Sequence, residues 1–442
     1  MRNILLFPSG SQVAREIYDA CKYEKNITCY GADNGNSNWS AYTLPSERYF
    51  ASVPFLKKGD LESEKELISS LLICIATFKI DAIFPCFDKF ISVLKRYESD
   101  LGCLVIAPNL TTCNMCESKK LTYATFYNKI CTPIQYSLET SVFPCFIKPI
   151  CGYGSRDSFK IETKEALQHF YNQYNKFQDM LILEYLPGKE YTVDCFSNRY
   201  HKLICAIPRE RSRTIQGISV HTQVETDDAI VKACREIALC ISDICSMIGC
   251  WFFQVKYNKE NKLCLLEIAP RVAGAMCCTR NLGINLPCLS LYEHFKDNNA
   301  VEETCCVLSP LSVYKTFSNT FYPPLQYEIL FIDLDDTIIL KGMVNTDCIA
   351  FIYSCLNRHI SVVLCTRNPD PVRTLNTYKI SCDLFSAILV VSKGERKSSH
   401  ITDHSHGRIG IFLDDSYQER KDVFDNCNNI SVFALDQLER CK

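Results

Sequence analysis

No run of apolar residues in this chain approaches the roughly 20 needed to cross a bilayer as a helix. LLICIA at 71–76 soon meets Lys79. The opening MRNILLFPSG carries too short an apolar stretch for an export signal, so a cytoplasmic protein is the expectation. An excess of one charge is missing too. The formal net charge of -2 gives no electrostatic reason to expect nucleic acid or a membrane surface as partner. Internal repeats and low-complexity tracts are absent, and no Gly-Lys-Ser/Thr loop opens a helix. Cys113 and Cys116 have the spacing of half a zinc site, but no matching Cys/His cluster follows to complete it.

What is abundant is cysteine, with 28 scattered through apparent core segments such as Cys240, Cys245 and Cys250. Without an export signal these read as reduced, small, buried hydrophobes. Hydrophobic residues at 47% and charged residues at 22% place the chain among globular proteins. Its 442 residues are too many for one ordinary core, so two or three domains are expected.

The first segment, 1–110, alternates short strands (NILLF, ITCYGAD, DAIFPCFD, CLVIAP) with helical stretches such as QVAREIYDACKY. That alternation predicts a small parallel α/β unit. From 111 to 322 the strand candidates crowd together: PCFIKP, SFKIE, MLILEYL, EYTVDCFS, HKLICAIPRE, WFFQVKY and KLCLLEIAP. Turn-length links between several of them predict antiparallel sheet. YPPLQYE (322–328) reads as a linker. Beyond it, over 328–442, ILFIDL, ISVVLCT, AILVV and RIGIFLD alternate with helical stretches, which predicts a parallel sheet covered on both faces. The fold class is therefore α/β and α+β multidomain.

Three pieces of the middle segment suggest phosphate chemistry. In FIKPICGYGSRDSFKIE, Lys148 closes a strand and Gly152, Gly154 and Ser155 form a loop. Unblocked backbone N–H groups beside a cation can cradle phosphate, although a flexible hairpin has the same pattern. In LILEYLPGKEYTVD, Glu184 ends a strand and Glu190 follows a Pro-Gly turn, which fits either ribose binding or a solvated turn. In FFQVKYNKENKLCLLEIAPRVAGA, the NKEN turn predicts a hairpin placing Gln254 beside Glu267. A buried glutamate there needs a partner, and Mg²⁺ bridging phosphates is a reasonable one. Arg271, at the strand's end, has the right chemistry to grip a transferring phosphoryl group.

In this order and spacing the pieces resemble the ATP-grasp superfamily, in particular its carbamoyl-phosphate-synthase-like and amino-acid-ligase branches, over roughly 1–322. The resemblance implies a Rossmann-like pre-ATP-grasp domain followed by the ATP-grasp fold, with ATP and Mg²⁺ as cofactors. It implies that Lys119 and Lys148 contact the nucleotide phosphates and that the loop of Gly152, Gly154 and Ser155 closes over them. Glu184, Tyr185 and Leu186 would contact adenine, Glu190 would bind ribose, and Gln254 and Glu267 would hold metal. The family's Glu-x-Asn-Pro-Arg pattern reads EIAPR here, so Ala269 replaces one oxygen ligand. Arg209 and Arg211 in PRERSR would lie near the γ-phosphate or the acid substrate, unless that string is a solvated basic turn. His221 in SVHT would hold the activated carboxylate, and Arg280 in CCTRNLGINLP a second carboxylate. Dimers are common in the family, so the resemblance raises a homodimer. The residues themselves carry no sign of one.

In FIDLDDTI an apolar run ends at Asp333, with Asp335 two residues on. Thr366, a lysine in KGERKSSH, and Asp414–Asp415 follow at further strand or helix ends. Together these resemble the haloacid dehalogenase (HAD) superfamily over 328–442, in a capless form, since about 28 residues between the nucleophile strand and Thr366 leave no room for a cap domain. The resemblance implies Asp333 as nucleophile, Asp335 as acid and base, and Thr366 with Lys397 (or Lys393) on the phosphate. Asp414 and Asp415, with Asp333 and Asp335, would bind Mg²⁺. His400, His404 and His406 read as a polar helix end.

The expectation is an ATP-dependent carboxylate–amine ligase fused to a Mg²⁺-dependent phosphatase. Its partners would be a small-molecule acid, an amine and a phosphorylated small molecule. A kinase–phosphatase pair and a nucleotide-sensing module without turnover remain as alternatives.

Overall fold

In the computed structural model the chain divides into two compact units. One comprises Arg2–Cys21 and Ile27–Tyr322; the other comprises Pro323–Lys442 with Met1 and Lys22–Asn26. The structure describes all residues except 36–37, 58, 153, 155, 175–176, 216, 297–298, 306–307, 316–318, 323–324 and 442, and except the side chains of 42–43 and 319–322.

The first unit opens with strands β1 (Arg2–Phe7), β2 (Ile27–Ala32), β3 (Tyr49–Phe50), β4 (Ala82–Pro85) and β5 (Leu104–Val105). They form one sheet in the order β3-β2-β1-β4-β5, every pairing parallel. Strand side chains alternate between faces, so β1 feeds two cores. Ile4 and Leu6 pack with Ala14 and Ile17 of the helix Gln12–Cys21, while Leu5 and Phe7 pack with Leu67, Leu71 and Cys74 of the helix Leu61–Phe78. The second helix starts at Asp60, whose carboxylate accepts from the Glu62 and Ser63 amides, and it ends at Lys79 in the left-handed region. The expected parallel α/β arrangement is what the first segment forms.

The same unit continues with a four-stranded antiparallel sheet of β6 (Gln135–Tyr136), β7 (Cys145–Pro149), β8 (Phe159–Ile161) and β9 (Met180–Glu184), ordered β6-β9-β7-β8. A seven-stranded antiparallel sheet follows, built from β10 (Glu190–Ser197), β11 (Leu203–Ile215), β12 (Ile218–Val224), β13 (Gly249–Tyr257), β14 (Leu263–Ala269), β15 (Ser312–Lys315) and β16 (Asn319–Tyr322). Its order is β14-β13-β10-β11-β12-β15-β16. The step from β9 to β10 turns at Gly188. A Cβ there would lie 2.4 Å from the Tyr257 Cβ, so only glycine fits the close approach to β13.

PRERSR is a strand and not a basic turn, because it continues β11. Within β11, Arg209 is buried against Asp194 of β10, Nε–Oδ2 at 3.0 Å and Nη2–Oδ1 at 3.2 Å. Thr279 Oγ1 donates to the same carboxylate at 2.7 Å. Cys113 and Cys116 lie buried on the helix Leu110–Glu117, and burial pushes both thiols up. Both are free thiols.

The second unit holds β17 (Ile329–Ile332), a hairpin of β18 (Ile339–Leu340) and β19 (Met343–Val344), then β20 (Ser361–Thr366), β21 (Ala387–Val390), β22 (Gly410–Leu413) and β23 (Ile430–Phe433). Five of these form a parallel sheet in the order β21-β20-β17-β22-β23. Alternation again separates two cores. Leu330 and Ile332 meet the helix Thr346–Asn357, and Ile329 and Phe331 meet Ile401 and Val423. The strand order reverses on either side of β17, which places a topological switch point at the strand ends where β20 and β22 part.

The buried Arg209–Asp194 pair yields a stability prediction. Asp194→Ala strands a guanidinium whose side chain is 2% exposed, so we expect a loss of about 3–5 kcal/mol. Urea titration checks it; a loss under about 1 kcal/mol would show that the pair contributes little.

Candidate functional sites

Two clusters of charged side chains stand out, one in each unit. In the first unit Lys119 opens the helix Lys119–Phe126, capped by Ser118, and Lys148 sits on β7. Both side chains are buried. Lys119 Nζ donates to the Gly152 carbonyl at 2.9 Å and lies 3.6 Å from Glu267. Lys148 Nζ donates to the Leu266 carbonyl at 3.3 Å, and Tyr123 Oη donates to the same oxygen at 2.9 Å. Burial pushes the Lys148 ammonium down to about 8, with Glu267 and Glu190 pulling it back up. The two sheets therefore bring Lys119, Lys148, Gly152 and Glu267 together.

The hairpin register pairs Gln254 with Glu267 directly, as the NKEN turn predicts. Glu190 forms an ion pair with Arg211, Nε–Oε1 at 2.7 Å, and accepts from Lys256 Nζ at 3.4 Å, so its carboxylate is held between two cations. Glu184 ends β9 with its amide bonded to the Ile134 carbonyl. Tyr185 carries the Lys160 ammonium over its ring at 4.6 Å, and Leu186 is buried. Gly154 has φ +62, which favours glycine there; Ser155 lies outside the described residues.

The residues expected near the acid substrate are placed differently from one another. Arg271 forms a two-point ion pair with Asp88, Nε–Oδ1 at 2.7 Å and Nη2–Oδ2 at 2.6 Å. Burial alone would raise the Asp88 carboxyl, but the Arg271 guanidinium outweighs it and holds it below the ordinary range. Arg209 corrects an expectation: its guanidinium is taken up by Asp194 and is not free to meet a substrate carboxylate. Arg211 is likewise engaged, by Glu190 and by the Gly217 carbonyl at 2.6 Å. Arg280 is buried in the helix Cys277–Asn281, and not on an open loop. His221 lies partly buried on β12, its ring 5.8 Å from that of Tyr314.

In the second unit Asp333 follows β17, Thr366 ends β20, Asp414 follows β22, and Lys397 opens the helix Lys397–Ser405. All four are buried. Lys397 Nζ bonds Asp333 Oδ1 at 2.6 Å and Asp414 Oδ2 at 2.7 Å, which distinguishes it from the exposed Lys393. One oxygen from each of Asp333, Asp414 and Asp415 falls within 4.8 Å of the others. Burial, then the Asp414 charge, push the Asp333 carboxyl upward against the pull of Lys397. Asp333 and Asp414 share the Lys397 ammonium and Asp415 lies 3.8 Å from that of Lys25, so three carboxylates face two ammonium groups and retain negative charge, a donor set that fits a hard divalent cation such as Mg²⁺. Arg420 Nη1 donates to the Asp414 and Asp415 carbonyls, both at 2.7 Å, and fixes this loop. Asp335 is exposed, and the Asn368 amide donates to both its oxygens at 3.1 and 3.0 Å.

Asp88, Asp194, Arg420 and Asn368 escaped the sequence reading. Asn368 had a readable signal, since it stands two residues past Thr366 at the same strand exit. Asp88 meets Arg271 183 positions along the chain, which no local pattern reveals, whereas Asp194 pairs with Arg209 across two strands and Arg420 bonds carbonyls just before its own helix.

Comparison with known proteins agrees with the first unit's architecture. The family described as ATP-grasp in the biosynthetic pathway with Ter operon matches residues 176–313. The D-alanine–D-alanine ligase of Francisella tularensis subsp. holarctica (strain LVS) is 28% identical over 67 residues. That match covers 15% of this chain and 23% of the relative, so the chain spans under a quarter of the relative's length. Among solved structures, the biotin carboxylase domain of Hydrogenobacter thermophilus 2-oxoglutarate carboxylase, in complex with MgADP, ADP and bicarbonate, superposes with a TM-score of 0.60 at 13% identity. It covers 71% of this chain and 74% of that one. The L-amino acid ligase of Bacillus licheniformis superposes with a TM-score of 0.57 at 14% identity, over 74% and 82% of the two chains. The class this defines is a mixed α/β chain with an ATP-grasp fold. Among the described residues no helix is long and apolar enough to cross a membrane.

Lys148 gives this section its prediction. Its folded value of about 8 lies below the unfolded value of about 10.4. Below about pH 8 the folded protein therefore holds a proton it disfavours, and the full cost is present. As pH rises from about 8 to about 10.4 the unfolded chain binds more protons than the folded one, so stability rises. Lys148→Met is expected to stabilise the nucleotide-free protein by on the order of a few kcal/mol at pH 7, with the gap narrowing above pH 8. Denaturant midpoints against pH test this, and a pH-independent gap would refute it.

Proposed function

We propose that the first unit is an ADP-forming carboxylate–amine ligase and the second a Mg²⁺-dependent phosphohydrolase with an aspartate nucleophile. The observation that carries the first part is the convergence of Lys119, Lys148 and Glu267 from a helix and two separate sheets. Two buried ammonium groups with so little anionic compensation make a site for phosphate. On this reading the segments 1–110, 111–322 and 328–442 are the pre-ATP-grasp, ATP-grasp and HAD-like domains.

In the ligase, Lys119 and Lys148 hold the nucleotide phosphates and the segment Glu184–Leu186 takes adenine. Glu190, steadied by Arg211 and Lys256, receives the ribose hydroxyls. Glu267, with Gln254 beside it, is the ligand for Mg²⁺, which when bound offsets the charge on the transferring phosphoryl group. Ala269 contributes no oxygen, so one carboxylate serves this metal site. A substrate carboxylate oxygen attacks the γ-phosphorus and ADP leaves. Arg271, oriented by Asp88, steadies the phosphoryl oxygens. The amine nitrogen then attacks the acyl carbon and loses a proton, and phosphate departs with one carboxylate oxygen. Arg209 and Arg280 support the walls of this site from within the core, and His221 lies on the strand that borders it.

In the phosphohydrolase, the Asp333 carboxylate attacks phosphorus, and the alcohol leaves with a proton from Asp335. Water then attacks the aspartyl phosphate and gives its proton back to Asp335. Thr366 and Lys397 bind the phosphate oxygens, and Asp333, Asp414 and Asp415 hold Mg²⁺, which when bound makes attack by one anion on another feasible. Between β17 and β20 the described residues form only a hairpin and one helix, a capless arrangement that leaves the site open to solvent. Joining both activities in one chain supports a shared pathway, in which the phosphohydrolase acts on a phosphorylated substrate or product of the ligase.

ADP release is expected only when a carboxylic acid and an amine are both present, and Lys148→Met should lower it by about 100-fold or more. ADP formed with a single alcohol or acid acceptor would favour a kinase instead, and nucleotide binding without ADP formation would favour a sensor. Asp333→Asn should abolish phosphomonoester hydrolysis while sparing ADP release. Phosphatase activity surviving in that variant would overturn Asp333 as nucleophile.

A further inference from the structure

We propose that Asn368 is the positioning residue that holds Asp335 for proton transfer to the leaving group; this rests on the reading of Asp333 as the phosphorylated nucleophile. Asp335 is an exposed aspartate on the turn after β17, and Asp336 beside it has φ +56. Nothing in such a turn restrains an aspartate side chain to one rotamer. Yet a proton donor acts efficiently only from a fixed position near the departing oxygen.

The restraint comes from Asn368. The Asp370 backbone N–H donates to Asn368 Oδ1 at 2.9 Å. A backbone N–H can only donate, so the atom facing it is oxygen and the amide orientation is fixed. Nδ2 must then face the other way, where it meets Asp335 Oδ1 at 3.1 Å, Asp335 Oδ2 at 3.0 Å and Thr374 Oγ1 at 3.2 Å. Thr374 Oγ1 spends its own proton on the Asp370 carbonyl at 3.2 Å, so it accepts from Asn368.

The same residue reaches the phosphate side of the site. The Asn368 backbone N–H donates to Thr366 Oγ1 at 3.0 Å. That bond uses a lone pair of the threonine and leaves its hydroxyl proton for a phosphate oxygen. Asn368 therefore fixes the spacing between the group that binds phosphate, Thr366, and the group that protonates the leaving alcohol, Asp335.

The test exploits leaving groups. p-Nitrophenolate departs without a proton, whereas a simple alkoxide does not. The pre-steady-state rate of alcohol release reports formation of the aspartyl phosphate alone, before Asp335 takes the proton of water. On p-nitrophenyl phosphate, Asn368→Ala should change that rate little, and on phenethyl phosphate it should lower it about tenfold or more. Asp335→Asn should show the same selective loss, and adding Asn368→Ala to it should cost nothing further on phenethyl phosphate. Equal losses on both esters, or a further loss in the double variant, would overturn the proposal. A crystal structure of Asn368→Ala supplies an arm that needs no activity: Asp335 should leave its wild-type position, and its retention there would equally overturn the proposal. Failure of the wild-type protein to hydrolyse either ester would remove the phosphohydrolase reading, while the crystallographic arm still judges what Asn368 holds.

Discussion

A buried ammonium must find an anion or lose its proton, and the two sites answer that constraint in opposite ways. Lys397 is fully compensated, with Asp333 and Asp414 at 2.6 and 2.7 Å. Among the described residues Lys148 finds only a carbonyl oxygen within hydrogen-bond reach, and burial pushes it down to about 8. The first arrangement locks Asp333, the proposed nucleophile, and its neighbours into one geometry. The second leaves a positive charge waiting for an anionic ligand. The stability given up at Lys148 fits the phosphate site proposed there, because an ammonium without a carboxylate partner keeps its charge for an anionic ligand.

The same constraint organises the arginines. Arg271 with Asp88 and Arg209 with Asp194 are each two-point pairs. Their surroundings separate their roles. The Arg209 pair is almost fully buried, at 2% and 1% side-chain exposure, and serves the core. The Arg271 pair keeps 15% and 27% exposure, so its guanidinium has an open edge. An aspartate behind an arginine fixes its direction without cancelling its use at the front.

Much of this was legible in the sequence wherever a local pattern carried it. FIDLD shows an apolar strand running into acid, because side chains at a strand's carboxyl end leave the core for the crevice. The Gln254–Glu267 pairing was readable from the NKEN turn, since hairpin length sets register. Partners distant along the chain were not legible: Arg271 and Asp88 stand 183 positions apart, and only the tertiary fold joins them. PRERSR misled because a charged string usually marks a solvated turn. Here alternation along β11 turned Arg209 inward, where Asp194 met it. For Arg209, burial beside Asp194 sets what its charge can reach more than the charge itself does.

The central claim is that the first unit activates a carboxylate by phosphorylating it. Carboxylate labelled with ¹⁸O in both oxygens, turned over with ATP and an amine, reports on that step directly. If an acyl phosphate forms, the inorganic phosphate released carries one ¹⁸O atom from the acid. Phosphate without label, or label found in AMP, would contradict the account.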